Sequence, residues 1–178
     1  YGDLDLSVLD ELPPGRMPVK TVLRRPTERD DVYDLVAREV GGGRQAYIVY
    51  PLVAESEKID LLAATDEFER LQTGVFSKLR VGLVHGQLSS ADKDTVMRAF
   101  LAGEVDILVA TTVIEVGIDV ANATIMVVEH AERFGLSQLH QLRGRVGRGP
   151  GESHCVLISE PGEGADERLK VLRDTSDG

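Results

Sequence analysis

A single cysteine, Cys155, occurs among the 178 residues, which excludes an internal disulfide framework and a cysteine-rich zinc site. Cys155 stands in the apolar segment "HCVLIS", so we expect it to pack inertly in the core. Long hydrophobic runs are also absent, since "DILVA" and "TIMVV" are far too short to cross a bilayer. No basic start precedes an apolar signal segment. These absences predict a cytoplasmic protein with no membrane partner.

Positive charge is scarce as well. Twenty lysine and arginine residues stand against 30 aspartate and glutamate residues, which gives a formal net charge of −10. That balance excludes a general nucleic-acid coat protein, which would be basic overall. A local basic patch remains possible, because charges are screened beyond about 8 Å at physiological salt. The segment "QLRGRVGRG", residues 141–149, is such a patch, with three arginines in nine residues.

The remaining composition is that of a globular protein, with 42% hydrophobic and 28% charged residues and enough length for one domain with a sizeable core. Short apolar segments alternate with amphipathic ones, which predicts an α/β fold with a mostly parallel central sheet covered by helices on both faces. One helix is expected to begin at a Thr27 cap and another at a Ser89 cap, with Asp92 three residues later. The predicted strands are "VKTVL", "QAYIVYPL", "LRVGLVHG", "DILVA", "TIMVVEH" and "SHCVLIS".

The two ends of the chain differ from this pattern. Residues 1–18 contain "ELPPGRMP", which cannot form a helix and is interpreted as an extended linker. The domain is predicted to span residues 19–160, and residues 161–178 are expected to close the chain as a helix. Since the chain starts at Tyr1 without a methionine and ends on "TSDG", we expect it to be a piece of a longer protein.

Polar clusters follow three of the predicted strands. Residues 85–87 follow "VGLV", Thr111 and Thr112 follow "DILVA", and residues 131–133 follow "TIMVVEH". Ligands of open parallel sheets bind outside the carboxyl ends of the strands. The clusters therefore predict one extended site at that edge, with ordinary turn chemistry as the alternative.

The arginine segment is predicted to be helical. Its apolar residues share one face: Leu139, Leu142 and Val146. Its polar residues share a second face: Gln138, Gln141, Arg145 and Arg148. Arginine forks that cannot lose their charge, flanked by the small residues Gly144 and Gly147, suit a polyphosphate. The alternative is a solvated helix end, whose arginines favour the helix dipole.

The segment "ATTVIEVGID" has a second set of candidates. The hydroxyl groups of Thr111 and Thr112, with free N–H groups at a helix start, suit a nucleic-acid phosphate. Gly117 allows close backbone approach, and Asp119 could accept hydrogen bonds from a ribose. A cap and a turn are the alternative. His85 carries less information, because a turn role explains it equally well.

A phosphate-cradling loop is missing. It would need G-x-x-x-x-G-K-[ST], and none of the five lysines follows a glycine. The Asp-Glu pairs occur in "DELP", "DEFE" and "DERL", none of them followed by a histidine, so no magnesium ligand set is evident. The sequence thus contains half of an ATP site, the half that supplies arginine fingers.

Three segments, "HGQLS", "ATTVIEVGIDVANAT" and "ERFGLSQLHQLRGRVGRG", closely resemble motifs of superfamily 2 helicases, in their second RecA-like motor domain. Within the superfamily the resemblance is to bacterial ATP-dependent DNA translocases of recombination and repair, which remodel stalled replication forks and Holliday junctions. It extends from residue 1 to about 175 and is most specific at 110–149. It implies a RecA-like three-layer sandwich.

The resemblance also implies roles for the matching residues. The implied arginine fingers are Arg145 and Arg148. The implied nucleotide contacts are Gln141, Gly117 and Asp119, and the implied DNA contacts are Thr111, Thr112, His85 and Gly86. ATP and Mg²⁺ would be held mainly by the first RecA-like domain of the same protein, which this sequence lacks, together with the family's wedge domain and translocation hairpin. The implied partner is branched DNA, the implied state is a monomer, and this chain alone is expected to be inactive.

Two other interpretations of the sequence stay open. The motor of a transcription-repair coupling factor is similar and acts on duplex DNA beside a stalled polymerase. A non-catalytic module could use the same arginines to dock a phosphate, a nucleic acid or a protein.

Overall fold

The computed structural model describes residues 19–51, 57–111, 120, 122–147, 152–160 and 169–170. Six strands are present in these ranges: β1 (Val19–Arg24), β2 (Gln45–Tyr50), β3 (Val81–Val84), β4 (Ile107–Thr111), β5 (Ala123–Val128) and β6 (Ser153–Ile158). The helices are α1 (Arg29–Gly41), α2 (Glu57–Thr73), α3 (Ser90–Leu101) and α4 (Leu136–Arg143). Short 3₁₀ turns occupy Pro26–Glu28 and Ala131–Arg133.

The strands form one sheet in the order β1-β6-β5-β2-β4-β3, and every neighbouring pair is parallel. Strands β5, β2 and β4 are neighbours in the sheet, and all of their residues are buried. This explains their sequences, because strands covered on both faces are apolar throughout. The predicted α/β class and all six predicted strands are confirmed.

Two hydrophobic clusters lie on opposite faces of the sheet. Helices α3 and α4 cover one face with side chains that include Met97, Phe100 and Leu139. Helices α1 and α2 cover the other face, with buried side chains that include Val36 and Leu71. The chain is therefore a three-layer sandwich, as predicted.

Local interactions determine where the helices begin. The Ser89 hydroxyl accepts a hydrogen bond from the Asp92 N–H at 3.1 Å, so the predicted cap of α3 is confirmed. The predicted Thr27 cap is wrong, because Thr27 lies inside the 3₁₀ turn and α1 begins at Arg29. The start of that turn is held instead by Glu28, whose carboxylate accepts from the Arg25 N–H at 2.9 Å.

Cys155 is fully buried in β6, and burial raises the pKa of its thiol to about 12, which confirms the predicted core role. The predicted linker, residues 1–18, lies outside the described residues, as does the closing helix except for Leu169 and Lys170, which are helical. Within the described part of the chain, no helix has the length and apolar character needed to cross a membrane.

Candidate functional site

The carboxyl ends of the parallel strands meet at one edge, and there β2, β4 and β5 enclose a cleft of about 740 Å³. Its floor is formed by Tyr50, Thr111 and Glu129. Tyr50 is the last residue of β2, Thr111 is the last residue of β4, and Glu129 directly follows β5. Its walls are the chain entering α1 and the middle of α2. The cleft lies on the face that α1 and α2 cover, since Tyr50 belongs to that hydrophobic cluster.

Thr111 is the predicted site residue that the structure places in this cleft. It is the last residue of β4 and only 2% exposed. Its Oγ1 atom has no hydrogen-bond partner among the described residues, although buried hydroxyl groups are nearly always paired. This hydroxyl is therefore suited to a group that enters the cleft. Its neighbour Thr112 lies outside the described residues.

Glu129 is a buried residue of the cleft that the sequence pattern did not identify as a candidate. It is 1% exposed, and its carboxylate accepts hydrogen bonds from Arg29 at 2.8 and 3.1 Å and from the Tyr33 hydroxyl at 2.5 Å. The hydrogen bond to Glu129 raises the pKa of Arg29, and burial followed by the Glu129 charge raises that of Tyr33. A carboxylate directly after a buried apolar strand was the available signal, because such a charge needs a partner.

A second ion pair lies across the cleft on α2. The Tyr50 hydroxyl donates to the Glu67 carboxylate at 3.2 Å, and Arg70 pairs with the same carboxylate. Burial alone would raise the pKa of Glu67, but the hydrogen bonds and charge of Arg70, together with the Tyr50 hydrogen bond, outweigh burial. The net effect is a lowered pKa of Glu67. Both arginines of the cleft are thus neutralised, and two further carboxylates, Asp30 and Asp66, line it. The described residues of the cleft therefore do not by themselves suit a triphosphate.

His85 and Gly86 follow β3, outside the residues that line the cleft. The Nδ1 atom of His85 accepts a hydrogen bond from the Gln87 N–H at 3.1 Å, so the imidazole stabilises the turn. Burial, aided by the charge of Lys93, lowers the pKa of His85. Gly86 is exposed. The contact with a nucleic-acid strand expected for both residues remains a prediction.

The arginine segment is anchored as predicted but is not helical throughout. Leu139, Leu142 and Val146 are buried against the face that α3 also covers. Helix α4 ends at Arg143, and a turn follows in which the Arg145 N–H donates to the Leu142 carbonyl at 3.0 Å. The prediction that one helical face carries both Gln141 and Arg145 is therefore wrong, and Arg148 lies outside the described residues.

The two glycines of the segment differ in backbone conformation. Gly147 has φ +85°, a left-handed conformation that favours glycine and redirects the chain. Gly144, at the end of α4, has an ordinary helical backbone, and an added Cβ would meet only Gln141 and His140 carbonyl oxygens at 3.4 and 3.5 Å. The backbone conformation therefore favours glycine at Gly147 but not at Gly144.

The described candidates for nucleotide contact and for DNA contact lie on opposite faces of the sheet. Gln141 is exposed and Arg145 is half-buried on a segment that Leu142 and Val146 fix to the α3 face. Thr111 lies in the cleft on the α1 and α2 face. The predicted site residues outside the described part of the chain are Thr112, Gly117, Asp119 and Arg148.

Arg143, the first of the three arginines, points into the protein. It is 2% exposed, and its Nη1 atom donates to the Thr21 hydroxyl at 3.2 Å. Its Nη2 atom lies 3.2 Å from Nδ1 of His140. The sequence pattern left Arg143 off the face expected to meet a ligand, but it did not predict the contact of Arg143 with β1.

Comparisons with known proteins bear on this arrangement. Residues 28–150 match the family described as helicase conserved C-terminal domain. The whole chain is 51% identical to the ATP-dependent DNA helicase RecG of Synechocystis and 53% identical to that of Escherichia coli O157:H7, and covers 22% and 26% of their lengths. A solved structure of RecG bound to a three-way DNA junction is 49% identical, with a TM-score of 0.79 over 94% of this chain and 22% of that chain. The chain thus spans about a quarter of the relatives it matches, and the expected resemblance and RecA-like fold are confirmed.

Proposed function

The chain belongs to the helicase conserved C-terminal domain family, and we propose that it is the second motor domain of an ATP-dependent DNA helicase of the RecG type. The complete protein would translocate on DNA and remodel stalled replication forks and Holliday junctions. The observation that carries this proposal is identity above 50% along the whole chain to proteins named RecG. A RecG protein bound to a three-way junction supports branched DNA as the substrate.

The nucleotide side of the domain would be the segment after α4. Arg145 and Arg148 would place guanidinium groups against the phosphates, with Gln141 as a further nucleotide contact and Gly117 and Asp119 near the ribose. Arg145 fits this role, because it is half-buried on a turn that Val146 anchors, so its direction is restricted. Bound ATP would supply the transferable phosphoryl group. Arginine fingers are worth about 10³ to 10⁵ in rate.

Magnesium does not fit the described residues. Among them, no group of three or more His, Cys, Asp or Glu side chains could hold a metal ion. We therefore assign Mg²⁺, and most contacts with ATP, to the first motor domain of the complete protein. That domain would be the principal partner of this chain, in a cytoplasmic monomer.

The DNA side would be the carboxyl edge of the sheet. The Thr111 hydroxyl, which has no partner within the described ranges, would donate to a backbone phosphate oxygen, with Thr112, His85 and Gly86 as further strand contacts. Hydroxyl and backbone N–H groups commonly contact nucleic-acid phosphates, and such contacts position a strand without reading its sequence. Nucleotide and DNA contacts on opposite faces would allow a rigid sheet to transmit domain closure from one to the other.

Strand release by the complete protein tests the substrate. We expect ATP-dependent release from a labelled three-way junction, and none with a non-hydrolysable ATP analogue. A protein that hydrolyses ATP on linear duplex DNA but leaves the junction intact would instead be a translocase of the coupling-factor kind. Junction binding without any turnover would favour a non-catalytic module.

A further inference from the structure

The contacts of Arg143 join the end of α4 to strand β1 at the edge of the sheet. Its Nη1 atom donates to the Thr21 hydroxyl at 3.2 Å, across 122 residues of sequence, and Nη2 lies 3.2 Å from His140 Nδ1. Since a guanidinium group can only donate, the His140 Nδ1 atom must be the acceptor. Among the described residues, the fork of Arg143 thus meets an acceptor on its own helix and another on β1.

Packing alone does not call for an arginine at this position. Leu139, Leu142 and Val146 already fix the segment to the sheet by apolar burial. A buried guanidinium group is costly to desolvate, and an apolar side chain of similar size often gives equal or greater stability. What the arginine adds is direction, because its planar fork sets the angle at which the end of α4 meets β1.

The turn that carries Arg145 is built on Arg143. The Val146 N–H donates to the Arg143 carbonyl at 3.3 Å, and Arg145 lies between these two residues in the sequence. A shift of the Arg143 backbone would therefore move Arg145 directly. Gly147, at φ +85°, continues the turn and gives it little stiffness of its own.

We propose that Arg143 is a positioning residue, which holds the turn after α4 in the orientation that directs Arg145 toward the nucleotide phosphates. It would act through Arg145, without touching the nucleotide. This inference rests on the proposed function, in which Arg145 is an arginine finger. It divides the three arginines of "QLRGRVGRG" between two tasks, one arginine for alignment and two for ligand contact.

Nucleotide binding by the complete protein in the presence of Mg²⁺ and branched DNA tests the inference. The probes are ADP alone and ADP with aluminium fluoride, which imitates the transferring phosphoryl group. We expect Arg143→Met to weaken binding of ADP with aluminium fluoride by at least about tenfold, because a misplacement near 1 Å can cost about 10²-fold. Affinity for ADP alone should change by less than about twofold, because a finger acts mainly on the transition state.

Two further variants complete this comparison. Thr21→Val removes only the acceptor hydroxyl on β1, and we expect the same selective loss in smaller degree. It serves in place of Arg143→Met should that variant fail to fold. Arg98→Met makes the same chemical change on the exposed face of α3, where Arg98 pairs with Asp94, and should leave both affinities unchanged.

An Arg145→Ala background separates positioning from a general structural role. We expect Arg143→Met to cause no further loss there, since its effect passes through Arg145. Equal weakening of both probes, or a further loss in the Arg145→Ala background, would overturn the inference and leave the finger assignment standing. No selective loss from Arg145→Ala itself would overturn the finger assignment, and this inference with it.

Discussion

Arg29 and Glu129 are 100 residues apart in the sequence and form a bidentate ion pair at the carboxyl edge of the sheet. Arg29 begins α1, and Glu129 directly follows β5. The Tyr33 hydroxyl donates to the same carboxylate from the next turn of α1. The floor of the cleft is thereby tied to the helix that forms its wall.

Glu129→Gln should destabilise the chain by about 3 kcal/mol. Breaking a buried ion pair costs about 3–5 kcal/mol, and the lower end applies because the Arg29 side chain is 29% exposed and can reach water. Denaturant unfolding of the variant and the parent chain measures the difference in free energy of unfolding. Glu104→Gln, at an exposed position, is the matched control and should change it by less than about 0.5 kcal/mol. Equal stability of the two variants would mean that the ion pair contributes nothing.

Thr111→Val should separate stability from activity. Because Thr111 Oγ1 has no partner in the part of the chain that the structure describes, replacing it with a methyl group should leave the free energy of unfolding unchanged or raise it. In the complete protein the same change should reduce stimulation of ATP hydrolysis by DNA. Loss of stability without any effect on this stimulation would show that the hydroxyl serves the fold.

Thr124→Val is the control for that comparison. Thr124 is buried to the same extent, at 2% exposed, but its hydroxyl donates to Glu39 at 3.0 Å. Its replacement should cost about 1–3 kcal/mol of stability, because a hydrogen bond to a charged group is lost. Stimulation by DNA should be unaffected.

The folded chain should lose stability in weak acid through His85. Burial lowers the pKa of His85 in the folded state, so the unfolded chain binds a proton first as the pH falls. The stability that neutral His85 contributes is fully present above about pH 6.5, the ordinary pKa of histidine in the unfolded chain. It is lost as the pH falls from there through the lower pKa of the folded state. An NMR titration of the imidazole should give a pKa below that of an ordinary histidine.

A His85→Gln variant checks the same prediction by stability. Its free energy of unfolding should depend less on pH between about pH 5 and 6.5 than that of the parent chain. A titrating pKa of His85 at or above the ordinary value would contradict the account.

The sheet could be predicted because its signal is local. Strands such as β4 and β5 are buried on both faces, so their residues are apolar without alternation and differ clearly from the helices. The carboxyl edge followed from the parallel arrangement, and with it the position of Thr111. The cap at Ser89 was equally local.

The missed features depend on residues that are distant in the sequence. Glu129 meets Arg29 across 100 residues and Arg143 meets Thr21 across 122, and no local pattern reports such contacts. The spacing of the arginines favoured one continuous helix, but the helix ends at Arg143 and a turn follows, with Gly147 in the left-handed conformation. Helical spacing left Arg143 off the polar face, but it could not show that Thr21 lies beside the Arg143 guanidinium group.

Hydrolysis of ATP in the presence of branched DNA tests the central claim, that this chain supplies the arginine fingers of a DNA motor. Three samples are compared: the complete protein, its Arg145→Ala/Arg148→Ala variant, and this chain alone. We predict a loss of about 10³-fold or more in the double variant, and no turnover from the isolated chain. Turnover that survives in the variant, or that the isolated chain performs, would contradict the claim.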